Sequence, residues 1–273
     1  MSEAVAAGRT VSGALADATS RLAAAGVDTP RLDAEVLLAY VLGVDRSRLV
    51  LDASLVVDSA VLERFSKLLD RREAREPVAY ILGRKEFRRI TLVIDRRVLI
   101  PRPETELLVE VALGLPSGAS VVDVGTGSGA VALALKDERP DLDVWATDVS
   151  SDALAVAREN GIHLGVGVEF VQADLLIGLD RSFDAVLTNL PYVADGVSLQ
   201  PEIGYEPAGA LFGGPDGLDP VRRLLPMVAD VPLVALEVGL AECVASMARE
   251  AGFSSTEILY DLAGHERVVV ARH

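Results

Sequence analysis

The stretch "SVVDVGTGSGAVALAL", Ser120–Leu135, reads as a buried strand, a tight glycine turn and a helix. Gly125, Gly127 and Gly129 carry no Cβ, so the backbone can pass close to a ligand there. The string Gly125-x-Gly127-x-x-Ala130 satisfies the loose form of the dinucleotide fingerprint. From this point the chain alternates strand and helix. The strand candidates are "SVVDVG", "DVWATDV", "VEFVQAD", "FDAVLTN", "PLVALEVG", "STEILYD" and "RVVVAR". Between them lie the helical runs "SGAVALALKDE", "SDALAVARENGI", "LDPVRRLLPMVAD" and "AECVASMAREAG". The pattern predicts an α/β fold, a Rossmann-like and mainly parallel sheet of about seven strands covered on both faces. Only "LAGHE" separates the last two strands, which predicts an antiparallel hairpin at one edge.

Upstream the pattern changes. "VSGALADATSRLAAAG" ends in a C-capping glycine, Gly26, and "TPRLDAEVLLAYVLG" opens on Thr29–Pro30 and closes at Gly43. Asp58 or Ser59 caps a third run, with Val61, Leu62, Phe65, Leu68 and Leu69 on one face and Pro77 as its stop. Residues 1–85 therefore read as a helical bundle. Residues 86–100 are β-rich and read as a hairpin connector, with Asp95–Arg96 as a weak turn signal. Residues 101–273 form the third segment, the α/β domain.

Composition narrows the function classes. The chain has 273 residues and a formal charge of −15, all of it in residues 86–273, because residues 1–85 are balanced. An acidic body is a poor match for nucleic-acid backbone. "RRxxRxP", Arg71–Pro77, is a local basic candidate, and a solvated helical face explains it more simply. One cysteine, Cys243, excludes an intrachain disulfide framework, and with three histidines it disfavours a zinc site. The chain shows no 18-residue apolar run, and "MSEAVAAGRTVSGALADATS" lacks the apolar core of a secretion signal, so a reducing cytoplasm is the expected setting.

Asp148 ends the strand after the glycine turn, where a carboxylate can accept from a ribose diol, so a nucleoside cofactor is expected. Two cofactors fit the turn. A nicotinamide dinucleotide needs its pyrophosphate at a helix N-terminus, whereas S-adenosylmethionine has no phosphate. Asp123, two residues before the glycines, favours the second, since a carboxylate suits an ammonium or a hydrogen-bond donor. A ligand-free tight turn is the plainer alternative. Asp174, closing "VQAD", either reads an adenine amino group or caps the next turn.

The fourth strand delivers "NLPY", Asn189–Tyr192, to the same carboxyl edge. Pro191 restricts Leu190 to extended backbone and so partly fixes the direction of the Leu190 carbonyl. That carbonyl and the Asn189 side-chain oxygen can hold both hydrogens of a planar NH2 group. Tyr192 can stack on a flat group or lie beside a sulfonium. The constellation suits methyl transfer to a delocalised nitrogen, held for in-line attack without a strong base. A simple turn after a strand is the competing explanation.

With these residues in hand, the sequence resembles the bacterial release factor glutamine methyltransferases, the HemK/PrmC family. The resemblance rests on "VLIPRPETE" (Val98–Glu106), "DVGTGSGA" (Asp123–Ala130), Asp148, "AVARENG" (Ala155–Gly161), Ala173–Asp174 and "NLPY". It continues in "EIGYEPAGALFGGPDGLD" (Glu202–Asp219), "LEVG" (Leu236–Gly239) and "DLAGHERVVVAR" (Asp261–Arg272). It implies an N-terminal bundle that recognises a class 1 peptide chain release factor, and a β-hairpin leading to an S-adenosylmethionine-dependent domain. Its target is the glutamine of the factor's Gly-Gly-Gln loop. The family pattern implies that Gly125, Thr126, Gly127, Ser128 and Gly129 hold the methionine side of the cofactor and Asp148 its ribose. Asp174 and Leu175 lie by the adenine, Asn189 contacts cofactor and substrate, and Asn189, Leu190, Pro191 and Tyr192 grip the glutamine. The family has Asn-Pro-Pro-Tyr where this chain has leucine at 190, which keeps the main-chain carbonyl and loses one locked φ. Two other functions are weighed against this one: methylation of an exocyclic amino group in nucleic acid, and a non-catalytic protein-binding module that retains the nucleoside pocket.

Overall fold

Thr10 opens the first helix by accepting the Gly13 N–H on its hydroxyl, 3.2 Å away, and α1 runs Val11–Ala24. The computed structural model describes residues 9–273, so the first eight residues of the expected leader-free start lie outside the described residues. Pro30 begins α2 (Pro30–Leu42), whose end is the left-handed Gly43. Thr29 does not cap it with its side chain. Its hydroxyl donates instead to Asp33, at 2.9 Å. After the short α3 (Arg48–Leu51), Asp58 caps α4 (Ser59–Glu73) by accepting the Ala60 N–H at 2.7 Å. The chain breaks at Pro77 and makes one further turn, α5 (Val78–Leu82). Leu15, Leu22, Leu37, Leu38, Phe65 and Leu69 interlock as the core of this bundle.

Two compact units result. One holds the chain up to Gly83 together with Pro201–Tyr205, and the other holds Arg84–Gln200 with Glu206–His273. Within the first unit the Arg72 guanidinium is buried between Asp33 (2.7 Å) and Glu202 (2.9 Å), and Arg75 donates twice more to Glu202. Arg75 and then Arg72 hold the Glu202 carboxyl down at about 2. The segment 201–205 carries no helical or strand periodicity in the sequence; these side-chain pairs, with the Tyr205 hydroxyl donating to the Ala74 carbonyl at 2.6 Å, seat it on the bundle.

The second unit starts with a hairpin, β1 (Arg84–Phe87) against β2 (Ile90–Val93). Its turn is Arg88–Arg89, not the expected Asp95–Arg96. Arg88 adopts a left-handed φ of 49°, and its N–H donates to Glu106 at 3.0 Å while its guanidinium pairs with Glu138. These tertiary contacts offset the backbone cost of a non-glycine residue there. Asp95 does turn the chain, accepting the Arg97 N–H at 2.9 Å, but toward an irregular segment rather than a second strand.

A 3₁₀ turn at Pro103–Thr105 leads into α6 (Glu106–Leu113). The sheet is β3 (Ser120–Val124), β4 (Asp143–Asp148), β5 (Glu169–Gln172), β6 (Ala185–Thr188), β7 (Leu233–Glu237), β8 (Ser255–Tyr260) and β9 (Glu266–Arg272). Its spatial order is β5-β4-β3-β6-β7-β9-β8, parallel except for β9, which runs antiparallel to both β7 and β8. The expected terminal hairpin is thus present, folded so that β9 lies inside and β8 at the edge. The connecting helices are α7 (Ala130–Glu138), α8 (Ser151–Leu164), α9 (Asp219–Leu224) and α10 (Ala241–Glu250). Pro226 ends α9 early, leaving a 3₁₀ turn at Leu225–Met227. Val121, Val122, Val186, Leu187, Val234 and Ala235 are wholly buried, so each central strand is apolar on both faces. Full burial of each such valine or leucine is worth about 1.5–3 kcal/mol. The strand order reverses between β3 and β6, which opens a crevice at their carboxyl ends. Among the described residues no helix is long and apolar enough to cross a membrane.

Candidate active site

Five strands end at that crevice, and each delivers one predicted or unpredicted polar group. After β3 the Gly125 and Thr126 N–H groups both donate to the Thr147 carbonyl at 2.9 Å, which ties the glycine turn to β4. Asp148, at the end of β4, accepts the Gly127 N–H and the Ser150 N–H, each at 2.9 Å. Burial pushes the Asp148 carboxyl up, and the two backbone donors pull it back. Asp123 stands behind the turn, fully enclosed. It accepts the Thr126 hydroxyl at 2.7 Å and the Ala132 N–H at 3.2 Å, and burial raises it to about 7. Its donors thus come from the turn and from the first turn of α7.

A cavity of about 380 Å³ lies over this edge. Gly125, Gly127, Asp148, Asp174, Leu175, Asn189, Leu190 and Pro191 line it, joined by Val98, Leu99, Pro207 and Phe212. The other turn residues serve the scaffold. Thr126 holds Asp123, the Ser128 carbonyl accepts from Asn160 at 2.9 Å, and Gly129 leaves room for Leu133. Asp174 is paired with Arg223 at 2.5 Å. Leu175 takes a left-handed φ of 56°, and its carbonyl accepts the buried Thr147 hydroxyl at 2.9 Å. The buried hydrogen bond holds this costly backbone conformation in place at the cavity wall.

The Asn189–Tyr192 loop divides in two. Asn189, Leu190 and Pro191 face the cavity, whereas the Tyr192 ring lies against Gly239, whose added Cβ would stand 3.2 Å from it. Burial, then the charge of Glu237, pushes the Tyr192 hydroxyl up to about 12. The loop is seated on "LFGGPDGLD" through Val193 N–H to the Leu211 carbonyl and Gly213 N–H to the Val193 carbonyl, both 2.9 Å. The approach is so close that a Cβ on Gly213 would fall 2.3 Å from the Pro191 oxygen, and one on Gly217 2.2 Å from the Tyr192 oxygen. That accounts for the glycines of this segment.

Three residues without an individual role in the sequence reading belong to the site. Asn160 of α8 is wholly buried and bonds both the Val93 N–H (2.7 Å) and the Val93 carbonyl (3.1 Å) as well as Ser128. It couples the hairpin to the glycine turn. Thr105 accepts from the Asn189 amide at 3.1 Å, and Glu237, ending β7, is buried with its Oε2 lacking a hydrogen-bond partner among the described residues. No local signal in the sequence sets these three apart; the partners of Asn160 and Thr105 lie far away along the chain.

The residues present fit a nucleoside bearing a cationic group. Two glycines leave the cavity wall without side chains, Asp148 keeps lone pairs beyond its two backbone donors, and the cavity is within the ordinary size for small ligands. Among the described residues no cluster of His, Cys, Asp and Glu could hold a metal ion.

Comparison with known proteins agrees with this geometry. Residues 13–83 match the PrmC N-terminal domain and residues 103–205 the methyltransferase small domain. The chain is 40% identical over 269 residues to the release factor glutamine methyltransferase of Deinococcus radiodurans, covering 94% of this chain and 96% of that protein. It is 41% identical over 273 residues to the enzyme of the same name from Mycolicibacterium smegmatis, with 94% and 96% covered. Among solved structures, the hMettl16 catalytic domain in complex with an RNA hairpin shares the fold at TM-score 0.53 and 16% identity, over 75% of this chain and 81% of that one. A methyltransferase from Pyrococcus furiosus does so at TM-score 0.51 and 20% identity, over 66% and 88%. Since both full-length relatives align over nearly the whole chain, it belongs to the release factor glutamine methyltransferase family.

Proposed function

We propose that this protein transfers a methyl group from S-adenosylmethionine to the side-chain amide nitrogen of the glutamine in the Gly-Gly-Gln loop of a class 1 peptide chain release factor. The observation that carries the proposal is the Asn189–Pro191 loop seated beside the glycine turn in one cavity, in a chain about 40% identical to release factor glutamine methyltransferases over its whole length. A release factor acts in translation, so the setting is the cytoplasm. The helical unit, which matches the PrmC N-terminal domain, is the part that recognises the factor.

The cofactor supplies an electrophilic methyl group on a sulfonium. Gly125 and Gly127 would hold its methionine side, Asp148 its ribose diol, and Asp174 with Leu175 its adenine. The remaining work falls to the loop. An amide nitrogen is a weak nucleophile because its lone pair is shared with the carbonyl. The Asn189 Oδ1 and Leu190 carbonyl each accept one N–H, which fixes the NH2 plane and favours the positive charge that develops as the nitrogen bonds carbon. Buried Leu190 and half-buried Pro191 exclude water from that wall. The proton leaves once the nitrogen is cationic and strongly acidic, so no strong base is required.

Labelled methyl transfer tests this directly. Purified protein with a class 1 release factor should label the factor, a Gln→Ala change in its Gly-Gly-Gln loop should abolish labelling, and total RNA and DNA should remain unlabelled. Methyl in nucleic acid but not in the factor would reverse the substrate assignment.

A further inference from the structure

Two walls of the cavity are loops that lie outside the sheet. One is Val98–Leu99, in the irregular segment after β2, and the other is the run from Pro207 to Phe212. Among the described residues no strand pairing joins them, so side chains set the space between them. Glu206 makes the connection. The chain returns to the second unit at this residue, immediately before the second wall begins. Its carboxylate spends both oxygens on the first wall: Oε2 accepts the Ile100 N–H at 3.1 Å and Oε1 accepts the Arg102 guanidinium at 2.5 Å. The Glu206 side chain is 2% exposed and that of Arg102 32%. A carboxylate so far out of water is stable only while its donors stay in place.

Both walls lead to Asn189. The second carries the loop that holds it, through the Val193 N–H donating to the Leu211 carbonyl at 2.9 Å and the bridge between Val193 and Phe212. The first runs on three residues past Arg102 to Thr105, whose hydroxyl oxygen accepts from the Asn189 amide at 3.1 Å. The contacts thus close a ring through Arg102, Glu206, Leu211, Val193, Asn189 and Thr105. Opening it at Glu206 frees the two supports of Asn189 to move apart.

We infer that Glu206 and Arg102 are positioning residues that clasp the two walls together and so hold Asn189, Leu99 and Phe212 in place around the substrate amide. The inference rests on the reading of this cavity as the site of methyl transfer to glutamine. Neither residue lines the cavity, so neither touches the reacting atoms. Arg102 acts through Glu206, and Glu206 through the walls.

The test compares Glu206→Gln, Arg102→Met, Arg102→Lys and the double variant Glu206→Gln/Arg102→Met with the parent. Each is assayed by single-turnover methyl transfer from S-adenosylmethionine to a purified class 1 release factor, with cofactor affinity measured by calorimetry. Glu206→Gln keeps the shape but exchanges one acceptor for an NH2, which must face either the Ile100 N–H or the Arg102 guanidinium. It should lower the single-turnover rate by about 10²-fold, the cost of a misplacement of about an ångström. Cofactor Kd should stay within about fivefold, because Gly125 and Gly127 are tied to β4 rather than to the clasp. Arg102→Met leaves a buried carboxylate with one donor and should slow transfer by a similar factor. Arg102→Lys should regain most of that loss, since the pair is a single hydrogen bond that an ammonium can also make. The double variant should be no slower than Glu206→Gln, because a residue that acts through another adds nothing once the other is gone. Should Glu206→Gln not fold, Arg102→Met and its rescue by lysine carry the same test at a partly exposed position. A full single-turnover rate in folded Glu206→Gln or Arg102→Met, rate losses that multiply in the double variant, or a loss confined to cofactor affinity would overturn the clasp and leave the methyltransferase assignment intact. A parent that fails to label the factor would overturn both.

Discussion

Leu190 packs its side chain against the backbone of Gly125: a Cβ built on Gly125 would stand 3.2 Å from Leu190 Cδ2. The residue that departs from the family's Asn-Pro-Pro-Tyr pattern therefore does more than keep a carbonyl. It closes one wall over the glycine turn, in a buried cluster with Val124, Leu175 and Leu218. Leu190→Pro should retain methyl transfer within about tenfold, because the carbonyl survives and the change is of the order of one hydrogen bond. Leu190→Ala should cost about 2–4 kcal/mol of stability, as other large-to-small changes in cores do. Chemical denaturation beside a labelled-methyl assay measures both. A Leu190→Pro enzyme with no detectable turnover would show that the leucine side chain, not its carbonyl, matters to the chemistry.

Asn189→Ala removes the side-chain acceptor and leaves the Leu190 carbonyl in place. Loss of one preorganised hydrogen bond to the reacting group lowers kcat by about 10²–10³-fold. On the proposed placement of the cofactor against Gly125, Gly127 and Asp148, its binding should change much less. Calorimetry with S-adenosylmethionine and single-turnover methyl transfer separate the two quantities. Comparable single-turnover rates in parent and variant would remove Asn189 from the mechanism.

The backbone beneath the loop makes a separate prediction. Gly217→Ala places a methyl 2.2 Å from the Tyr192 carbonyl oxygen, and Gly213→Ala places one 2.3 Å from the Pro191 oxygen. Neither overlap can be relieved by a rotamer change, since both partners are main chain. The loop must move by about an ångström, which costs about 10²-fold in kcat. Gly209 offers a control on the same cavity rim, because a Cβ there meets nothing within 4 Å. Gly209→Ala should fold and bind cofactor as the parent does.

What the sequence made legible follows the range of the interactions. The seven strands show themselves because each is a short apolar run bounded by Gly, Asp or Pro, and the glycine turn because its spacing is local. The site residues on loop ends, Asp148, Asp174 and Asn189, follow from the rule that ligands sit at strand carboxyl ends. The hairpin turn at Arg88–Arg89 was not legible, since no glycine or asparagine marks it and its support comes from Glu106 and Glu138. Thr105 and Asn189 are 84 residues apart, so their contact exists only in the fold. Nothing local distinguishes Glu237 from any acid that ends a strand.

The two buried carboxyls also set how stability depends on pH. Asp123 and Glu237 are each raised to about 7 by burial, from ordinary values of 3.8 and 4.5. Between those limits the folded protein holds more protons than the unfolded chain. Stability therefore declines as pH rises from about 4.5 to 7, and the full penalty remains above that window. The carboxyls held low by ion pairs, Glu202 and Asp216 at about 2, act the other way, and only below about 4. Urea denaturation should accordingly give a higher unfolding free energy at pH 6 than at pH 8, by about 1–3 kcal/mol. Glu237→Gln should reduce that difference by removing one of the two titrating groups, and Asp123→Asn should remove most of the rest. If the unfolding free energy instead rose steadily from pH 5 to 8 in the parent, neither carboxyl would be protonated in the folded protein near neutrality.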